Sequence, residues 1–544
     1  MRAPREPLWL RLDRAAPFLA ALTALAALAV AFRWGTSVVG GSDSNCYVSQ
    51  AGLWLQGAIR SPQAVGFDPP WPNAAWSLTP TGFVPSQVVP GAIAPMCPPG
   101  LALTMASTWA IAGPSAVFAA VPLLGALAVW LSYLLGRALD RPATGLAAAV
   151  LVAASPVVLF QIVQPMSDVP AMAWWLLATV LASRPGRIRA LGAGLAASAA
   201  ILTRPNLAPL ALVIAAFLAF RPRDARHAPR RIADAGLFLL GVLPGGVAVA
   251  VIQQWLYGSP LSSGYGSLGL LFSWSHLGPN LRRYPAWLIT THTPVVCLAV
   301  AAPFVLRART LQESDSDRWR QATWLAWLCL ALACAVWAAY ATYTVFDAWW
   351  FLRFLLPAIP LLIALCAVVL VAIVARLPES ARAGTAVACV AALAAFFVYT
   401  AAARGVFGLW QFERRFRDAG EYVAARLPEQ AVVLTIWESG SVRYYGKRLT
   451  ILPDQIDPAW FDRVLAFLDE IGRPPFLLFE TAEEPAFKQR FQASSRFGAL
   501  DWPPMAQIGR EVRIFNPADR ARYLAGEQIA TERVWTDRPS VSLR

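Results

Sequence analysis

Eleven apolar runs, each of a length that a lipid bilayer demands, constrain this chain more than any other feature. A helix crosses the hydrocarbon core with about 17 to 25 apolar residues, and a spanning segment must satisfy every backbone polar group internally. The runs lie at 15–33, 115–136, 143–163, 168–183, 187–203, 205–220, 233–256, 285–306, 321–344, 354–375 and 384–403. The predicted fold class is a polytopic α-helical membrane protein of about 11 transmembrane helices with a C-terminal extracytoplasmic α/β domain. Charged residues make up 14% of the chain, against about 25% in soluble domains. A net charge of +14 does not point to nucleic acid, because the arginines sit in short clusters between apolar runs and no nucleic-acid reading module is present. The first run lacks a small-residue cleavage site and is expected to stay as an anchor.

Sidedness follows from the arginines, since short Arg-rich connections stay cytoplasmic. Alternate connections carry Arg2, Arg5, Arg11 and Arg14; Arg137 and Arg141; Arg184, Arg187 and Arg189; Arg221, Arg223, Arg226, Arg230 and Arg231; Arg307, Arg309, Arg318 and Arg320; and Arg376 and Arg382. The N-terminus is therefore expected inside, in a cell (inner) membrane, and the C-terminal domain outside. Gly100 to Ala112 is apolar but short, and a crossing there would invert every later cluster. It is read as a helix along the outer interface.

The organisation expected is a membrane domain over residues 1–409 and a soluble domain over 410–544, where acidic residues become frequent and both lysines, Lys447 and Lys488, occur. In the latter, 417–426 and 461–471 read as helices, 431–437, 475–479 and 512–515 as strands, and Ser441 to Tyr445 as the start of a further helix. The tail after Tyr523 reads as weakly ordered. Within the membrane domain, residues 34–114 form a first outer loop dense in Pro and Trp, with too many aromatics for disorder. Cys46 and Cys97 both fall in it and are a disulfide candidate. Cys297, Cys329, Cys334, Cys366 and Cys389 lie in apolar runs and read as buried hydrophobes. His227, His276 and His292 have no metal-ligand spacing, so no metal is assigned.

Charges beside hydrocarbon are costly and mark function. Asp43, Asp168, Arg204, Arg353, Asp347, Arg282 and Arg283 all fall at outer ends of runs. Two carboxylates with several arginines on one face suit a base that handles a proton while cations hold a phosphate. The plainer alternatives are that Arg282, Arg283 and Arg353 snorkel to headgroups and that Asp43 caps a helix beginning near Asn45.

The order of these residues resembles the GT-C glycosyltransferases. Asp43, Tyr47 and Ala51 after the first run, Pro98-Pro99-Gly100 leading into an apolar helix, Ser167-Asp168, Arg204-Pro205 and Arg353 to Pro357 are similar to the successive motifs of that superfamily. SGSVRYYGKR (Ser439 to Arg448), with Tyr444 and Tyr445, resembles bacterial protein O-mannosyltransferase and aminoarabinose transferase types. The resemblance implies an inverting transferase that takes a sugar from a polyprenyl monophosphate, with no cofactor beyond that lipid substrate, and passes it to an unidentified envelope acceptor. It implies Asp43 as general base, Asp168 as a second catalytic carboxylate, Arg353, Arg204, Arg282 and Arg283 on the donor phosphate, and Tyr47, Pro98, Pro99, Asp347, Tyr444 and Tyr445 in support. Asp43 is followed by Ser44, so the paired acidic residues of some relatives are absent, and the further acidic motifs of the metal-dependent branch are not found. Mannose, galacturonic acid and arabinose are all carried by relatives with this skeleton.

Two other classes compete. A transporter or lipid flippase should carry charges or helix breaks in mid-span, whereas here they gather at the ends. A non-catalytic scaffold would use the soluble domain to bind a partner.

Overall fold

The computed structural model describes residues 8–63, 65–221, 228–312 and 315–534. Arg2, Arg5, Arg223 and Arg226, assigned above to the inner side, and His227 lie outside them. The helices are α1 (Leu8–Trp34), α2 (Gly41–Leu55), α3 (Ala74–Ser77), α4 (Pro99–Ala112), α5 (Ala120–Leu139), α6 (Pro142–Ala154), α7 (Pro156–Ile162), α8 (Asp168–Ala182), α9 (Arg187–Thr203), α10 (Leu210–Phe220) and α11 (Ala228–Tyr257). They continue with α12 (Leu268–Leu271), α13 (Leu277–His292), α14 (Ala302–Gln312), α15 (Ser316–Ala341), α16 (Ile359–Val374) and α17 (Glu379–Ala403).

This is a multi-pass membrane protein. Among the described residues, seven helical stretches are long and apolar enough to cross a bilayer, and α6 with α7 makes an eighth, bent by 61°. That is fewer than the eleven expected. The runs at α8, α9 and α10 are helical but only 15, 17 and 11 residues long, below the roughly 20 residues of a simple crossing. Proline accounts for the breaks. Pro156 starts α7 after Ser155, whose hydroxyl accepts from Val158 N at 3.4 Å. The run expected at 285–306 is cut at Thr293, which has φ 62°, before Pro294; proline removes a donor and pushes the preceding residue out of the α region.

Small residues let the helices meet closely. A Cβ on Gly194 of α9 would lie 2.1 Å from the Phe238 carbonyl oxygen of α11. At one end of the bundle Asp13 pairs with Arg141, and Asp140 takes Arg309 at 2.5 Å. Three Arg-bearing connections thus meet at that end.

The first outer loop is folded. It contains α2, α3, α4 and a small antiparallel sheet of β1 (Ser61–Pro62), β3 (Ala92–Pro95) and β2 (Phe83–Pro85), in that order. Beyond α17, α18 (Leu409–Arg426) leads into a six-stranded sheet of β4 (Val432–Leu434), β5 (Leu449–Ile451), β6 (Pro475–Glu480), β7 (Ala506–Ile508), β8 (Val512–Phe515) and β9 (Glu532–Val534), ordered β5-β4-β6-β8-β7-β9. The β5-β4-β6 half is parallel, whereas β8 runs against both β6 and β7. α19 (Ser439–Ser441), α20 (Phe461–Glu470), α21 (Glu484–Phe491) and α22 (Pro517–Leu524) accompany it. The stretch after Tyr523, expected to be weakly ordered, returns as β9 beside β7; residues 535–544 lie outside the described ones.

The outer loop and this sheet share a hydrophobic core. Trp71 and Leu78 pack in one cluster with Phe461, Leu465, Leu477 and Phe479. Polar contacts continue the joint: Val39 N donates to the Tyr445 hydroxyl at 2.8 Å, Thr81 N donates to Ser439 Oγ at 3.0 Å, and Gly440 admits Asn45 so closely that an added Cβ would lie 2.3 Å from its Nδ2.

Behind that joint sit three buried carboxylates. Arg415 Nε donates to Glu480 at 2.7 Å, Glu483 accepts from Trp437 N and Glu480 N, and Glu438 is fully buried with one carboxylate oxygen unpartnered. Burial, with the neighbouring Glu480, holds Glu438 well above the usual carboxylate range, and burial pushes Glu483 from 4.5 to about 7. For an acid raised on folding, the native state binds more protons than the unfolded chain between those two values, so stability falls as pH rises through them. The melting temperature of the detergent-solubilised protein should therefore drop between pH 5 and about 8. Glu483→Gln should flatten that slope; an undiminished slope in the variant would contradict the assignment.

Candidate functional site

The opposite end of the bundle gathers charge. Gly41, at φ 57°, turns the chain from α1 into α2, and Gly40 holds the N-cap position. Asp43 is therefore in the first turn and does not cap the helix, which corrects the capping alternative. A carboxylate is favoured there by the helix dipole, and α2 places Tyr47 one turn on, along the same face. Asp168 occupies the first turn of α8 and is 1% exposed. Arg204 ends α9, where Pro205 stops the helix. Arg353 lies in a 3-10 stretch, Trp349–Ala358, ahead of α16.

These four side chains form one chain of contacts. Arg204 Nη2 donates to Asp168 Oδ1 at 2.6 Å, its Nε to Ser167 Oγ at 3.2 Å and its Nη1 to the Tyr340 hydroxyl at 3.0 Å. Each of its nitrogens is used. Arg353 Nη1 stands 4.0 Å from Asp168 Oδ2, and its Nη2 3.4 Å from Asp43 Oδ2. The Arg353 Nε is buried without a hydrogen-bond partner, and its guanidinium lies over Phe351 and Phe354 at 5.4 and 5.3 Å. Every nitrogen of Arg204 thus meets a protein group, whereas the Nε of Arg353 meets none.

All four line a cavity of about 530 Å³, together with Tyr47, Pro98, Pro99 and Ser167. Its remaining wall is aromatic and aliphatic, with Tyr257, Tyr265, Tyr340, Tyr343, Phe346 and Leu256 among its members. The cysteines meet: Cys46 of α2 and Cys97, just before Pro98, form a disulfide with Cα atoms 6.2 Å apart. Burial pushes the phenols of Tyr47 and Tyr265 well above the usual tyrosine range, with Asp43 adding to the shift, so both remain protonated donors. The loop bearing Tyr265 is held to the outer loop by the Tyr257 hydroxyl, which donates to Pro95 O at 2.7 Å.

Other sequence candidates lie elsewhere. Arg282 and Asp347 are exposed, Arg283 donates to the Phe346 carbonyl, and none of the three lines the cavity. Tyr444 and Tyr445 pack at the joint of α18 with α19 and the outer loop, not on the cavity wall. Apart from Tyr47, the tyrosines of the wall went unread in the sequence; Tyr340 and Tyr343, aromatic and polar at the end of a run, were the available signal. Among the described residues no group of three or more His, Cys, Asp or Glu side chains is placed to hold a metal ion.

A profile of the family described as dolichyl-phosphate-mannose-protein mannosyltransferase matches residues 97–247, a stretch that includes Asp168 and Arg204 but neither Asp43 nor Arg353. No curated protein matches the chain by sequence. Solved structures do so by fold. The oligosaccharyltransferase of Archaeoglobus fulgidus in its apo form superposes with a TM-score of 0.54 at 12% identity, covering 87% of this chain and 70% of its own. ArnT from Cupriavidus metallidurans bound to undecaprenyl phosphate gives 0.52 at 14% identity, over 91% and 97%. The A. fulgidus oligosaccharyltransferase AglB with an inhibitory peptide and a dolichol-phosphate gives 0.51 at 12%, over 90% and 72%.

Removing one partner of the buried Arg204–Asp168 pair strands the other, at a cost of about 3 to 5 kcal/mol. Arg204→Ala should thus lower the melting temperature markedly, and Arg204→Ala with Asp168→Asn should recover part of the loss. No recovery in the double variant would show that the pair does not carry the effect.

Proposed function

We propose, from the GT-C fold that the chain shares with those structures, that it is an inverting membrane glycosyltransferase. It moves a sugar from a polyprenyl monophosphate donor to an extracytoplasmic acceptor, which is a glycan, a lipid or a protein. One observation carries the reading: a partly exposed carboxylate, Asp43, and a cation with unused donors, Arg353, stand 3.4 Å apart on the wall of one large cavity. The neighbours solved with undecaprenyl phosphate and with a dolichol-phosphate support a lipid phosphate as the ligand of such a cavity.

In this mechanism Asp43 takes the acceptor hydroxyl proton as the acceptor oxygen bonds to the anomeric carbon. The bond from that carbon to the phosphate oxygen breaks on the opposite face, which inverts the centre, and the electron pair leaves with the polyprenyl phosphate. Arg353 meets the charge that develops there. Arg204, closed on Asp168, holds that carboxylate beside Arg353 and so keeps the second guanidinium in place. Tyr47 and Tyr265 donate hydrogen bonds to sugar or acceptor oxygens. In a cell membrane the N-terminus faces the cytoplasm, and the 34–114 loop with the 410–544 domain covers the cavity from outside. Arg282, Arg283 and Asp347 have no part in this assignment, because they do not reach the cavity.

Asp43→Asn should slow sugar transfer in membranes by about 10² to 10⁴-fold, with binding of polyprenyl phosphate retained. Arg353→Ala should cost about 10² to 10³-fold and weaken that binding. Transfer at the wild-type rate in Asp43→Asn would remove Asp43 as the base.

A further inference from the structure

We infer that the joint between the C-terminal sheet and α2 is a pH-sensitive device: the buried carboxylates behind it must hold protons for α2 to seat Asp43, so rising pH switches transfer off. The link to transfer rests on the transferase reading, whereas the link to α2 stands on the joint alone. The carboxylates gather where β4 and β6 end, and Glu438, Glu480 and Glu483 are all buried. Among the described residues one cation faces them. Arg415 of α18 donates to Glu480 at 2.7 Å and to Glu413 at 3.1 Å. Of the other charged groups packed around them, Glu484 pairs with Arg513 at 3.2 Å, and Arg443 turns to the Leu78 carbonyl and Thr450. Glu413, Glu438, Glu480 and Glu483 thus share the one guanidinium, and a buried charge without a partner is costly. Glu438 keeps one carboxylate oxygen buried with no hydrogen-bond partner. Protonation removes the excess: burial, with Glu480 beside it, holds Glu438 well above the usual carboxylate range, and burial pushes Glu483 up to about 7.

Two routes lead from these acids to Asp43. The first runs through α19. Glu483 accepts from Trp437 N at 3.1 Å, and the Glu438 carbonyl accepts from Val442 N at 2.8 Å, so the two residues hold the turn that starts α19. Gly440 of that turn closes on Asn45 of α2, while Ser439 bonds Thr81, whose carbonyl accepts from the Asn45 side chain at 2.8 Å. The second route runs through α18. The Arg415 guanidinium lies 4.2 Å from the Phe416 ring, and Phe416 packs so tightly on Gly40, the N-cap position of α2, that a Cβ there would lie 2.2 Å from the ring. Asp43 is held between those two contacts, at Gly40 and at Asn45. When Glu438 and Glu483 ionise, they repel each other and Glu480 in a buried space. The turn at 437–441 must then open to water, α2 loses its seat on Gly440, and Asp43 loses its placement 3.4 Å from Arg353. The protons are held at lower pH and lost as pH rises through those values, so the seated state belongs to the lower side.

The test uses the full-length protein in nanodiscs from about pH 6 to about pH 9, with native envelope membranes supplying lipid-linked sugar and acceptor. Release of polyprenyl phosphate is followed together with amide hydrogen exchange of α2 and of residues 437–446, corrected for the intrinsic effect of pH. In the wild type the rate should fall roughly tenfold above about pH 7 and recover on acidification, and protection of both segments should fall over the same window. Glutamine copies the shape of a protonated glutamate and carries no charge. Glu438→Gln and Glu483→Gln should therefore each shrink the decline, measured against the variant's own rate at about pH 6, and the double variant should abolish it; Glu438→Asp, which keeps the charge, should retain it. A merely structural role would lower the rate at every pH and leave the decline in place. A decline of undiminished size in both single variants overturns the inference, as does one during which α2 stays protected. If the wild type releases no polyprenyl phosphate at any pH, the transferase reading falls; the joint is then judged by exchange alone, and protection indifferent to pH or to the glutamine variants overturns it.

Discussion

A buried ion pair between Arg204 and Asp168, extended through Arg353 to Asp43, anchors one end of the bundle. Taking one such charge out of water costs several kcal/mol even after relaxation, so none of the four is tolerable there alone. Together they are neutral, and each is held within 4.0 Å of an opposite charge. The four come from four separate elements, α2, α8, the end of α9 and the 3-10 stretch before α16. Their mutual neutralisation therefore depends on those ends arriving at one place. The two guanidiniums are unequal: every nitrogen of Arg204 bonds a protein group, whereas the Nε of Arg353 has no hydrogen-bond partner.

Helix interruptions make that convergence possible. Pro205 stops α9 at Arg204, Pro156 breaks the α6–α7 stretch ahead of the Asp168 turn, and the segment bearing Arg353 stays in 3-10 form until α16 begins at Ile359. Irregular backbone at membrane depth is tolerated only where protein or a cavity surrounds it; Pro205 and Arg353 line the cavity, and Pro156 is buried in protein. The same breaks shorten several crossings below the length that hydropathy alone suggests. Close helix contacts at glycines, such as Gly194 against α11, compensate by letting short helices pack backbone to backbone.

Above the bundle, the first outer loop and the C-terminal sheet behave as one packed body. Trp71 and Leu78 enter the core of the sheet, and Gly440 makes room for Asn45 of α2, two residues from Asp43. The Cys46–Cys97 disulfide joins α2 to the segment that opens the cavity wall at Pro98. In chain-entropy terms a loop of that length restrains the unfolded chain by about 4 kcal/mol. The site is thus braced from its own loop and from a sheet some four hundred residues away in sequence.

The sequence by itself determined the class of the molecule and the residues worth watching. Apolar run length and the cost of placing charge beside hydrocarbon are local properties, so the membrane fold, the change of texture near residue 410 and the positions of Asp43, Asp168, Arg204 and Arg353 are legible without coordinates. The longer segments of the C-terminal domain, Pro475–Glu480 and Phe461–Glu470, are legible for the same reason. Strands of three residues, such as Leu449–Ile451 and Ala506–Ile508, are too short to show a period. Tertiary structure alone decided which of the outer charges share a cavity: Arg353 enters it, whereas Arg282, Arg283 and Asp347 do not, although all sit at comparable boundaries in the chain. It also supplied the tyrosine wall and the joint between loop and sheet. The physical reason is that a side chain's direction depends on how its helix crosses its neighbours, and that crossing is set by contacts between residues distant in sequence.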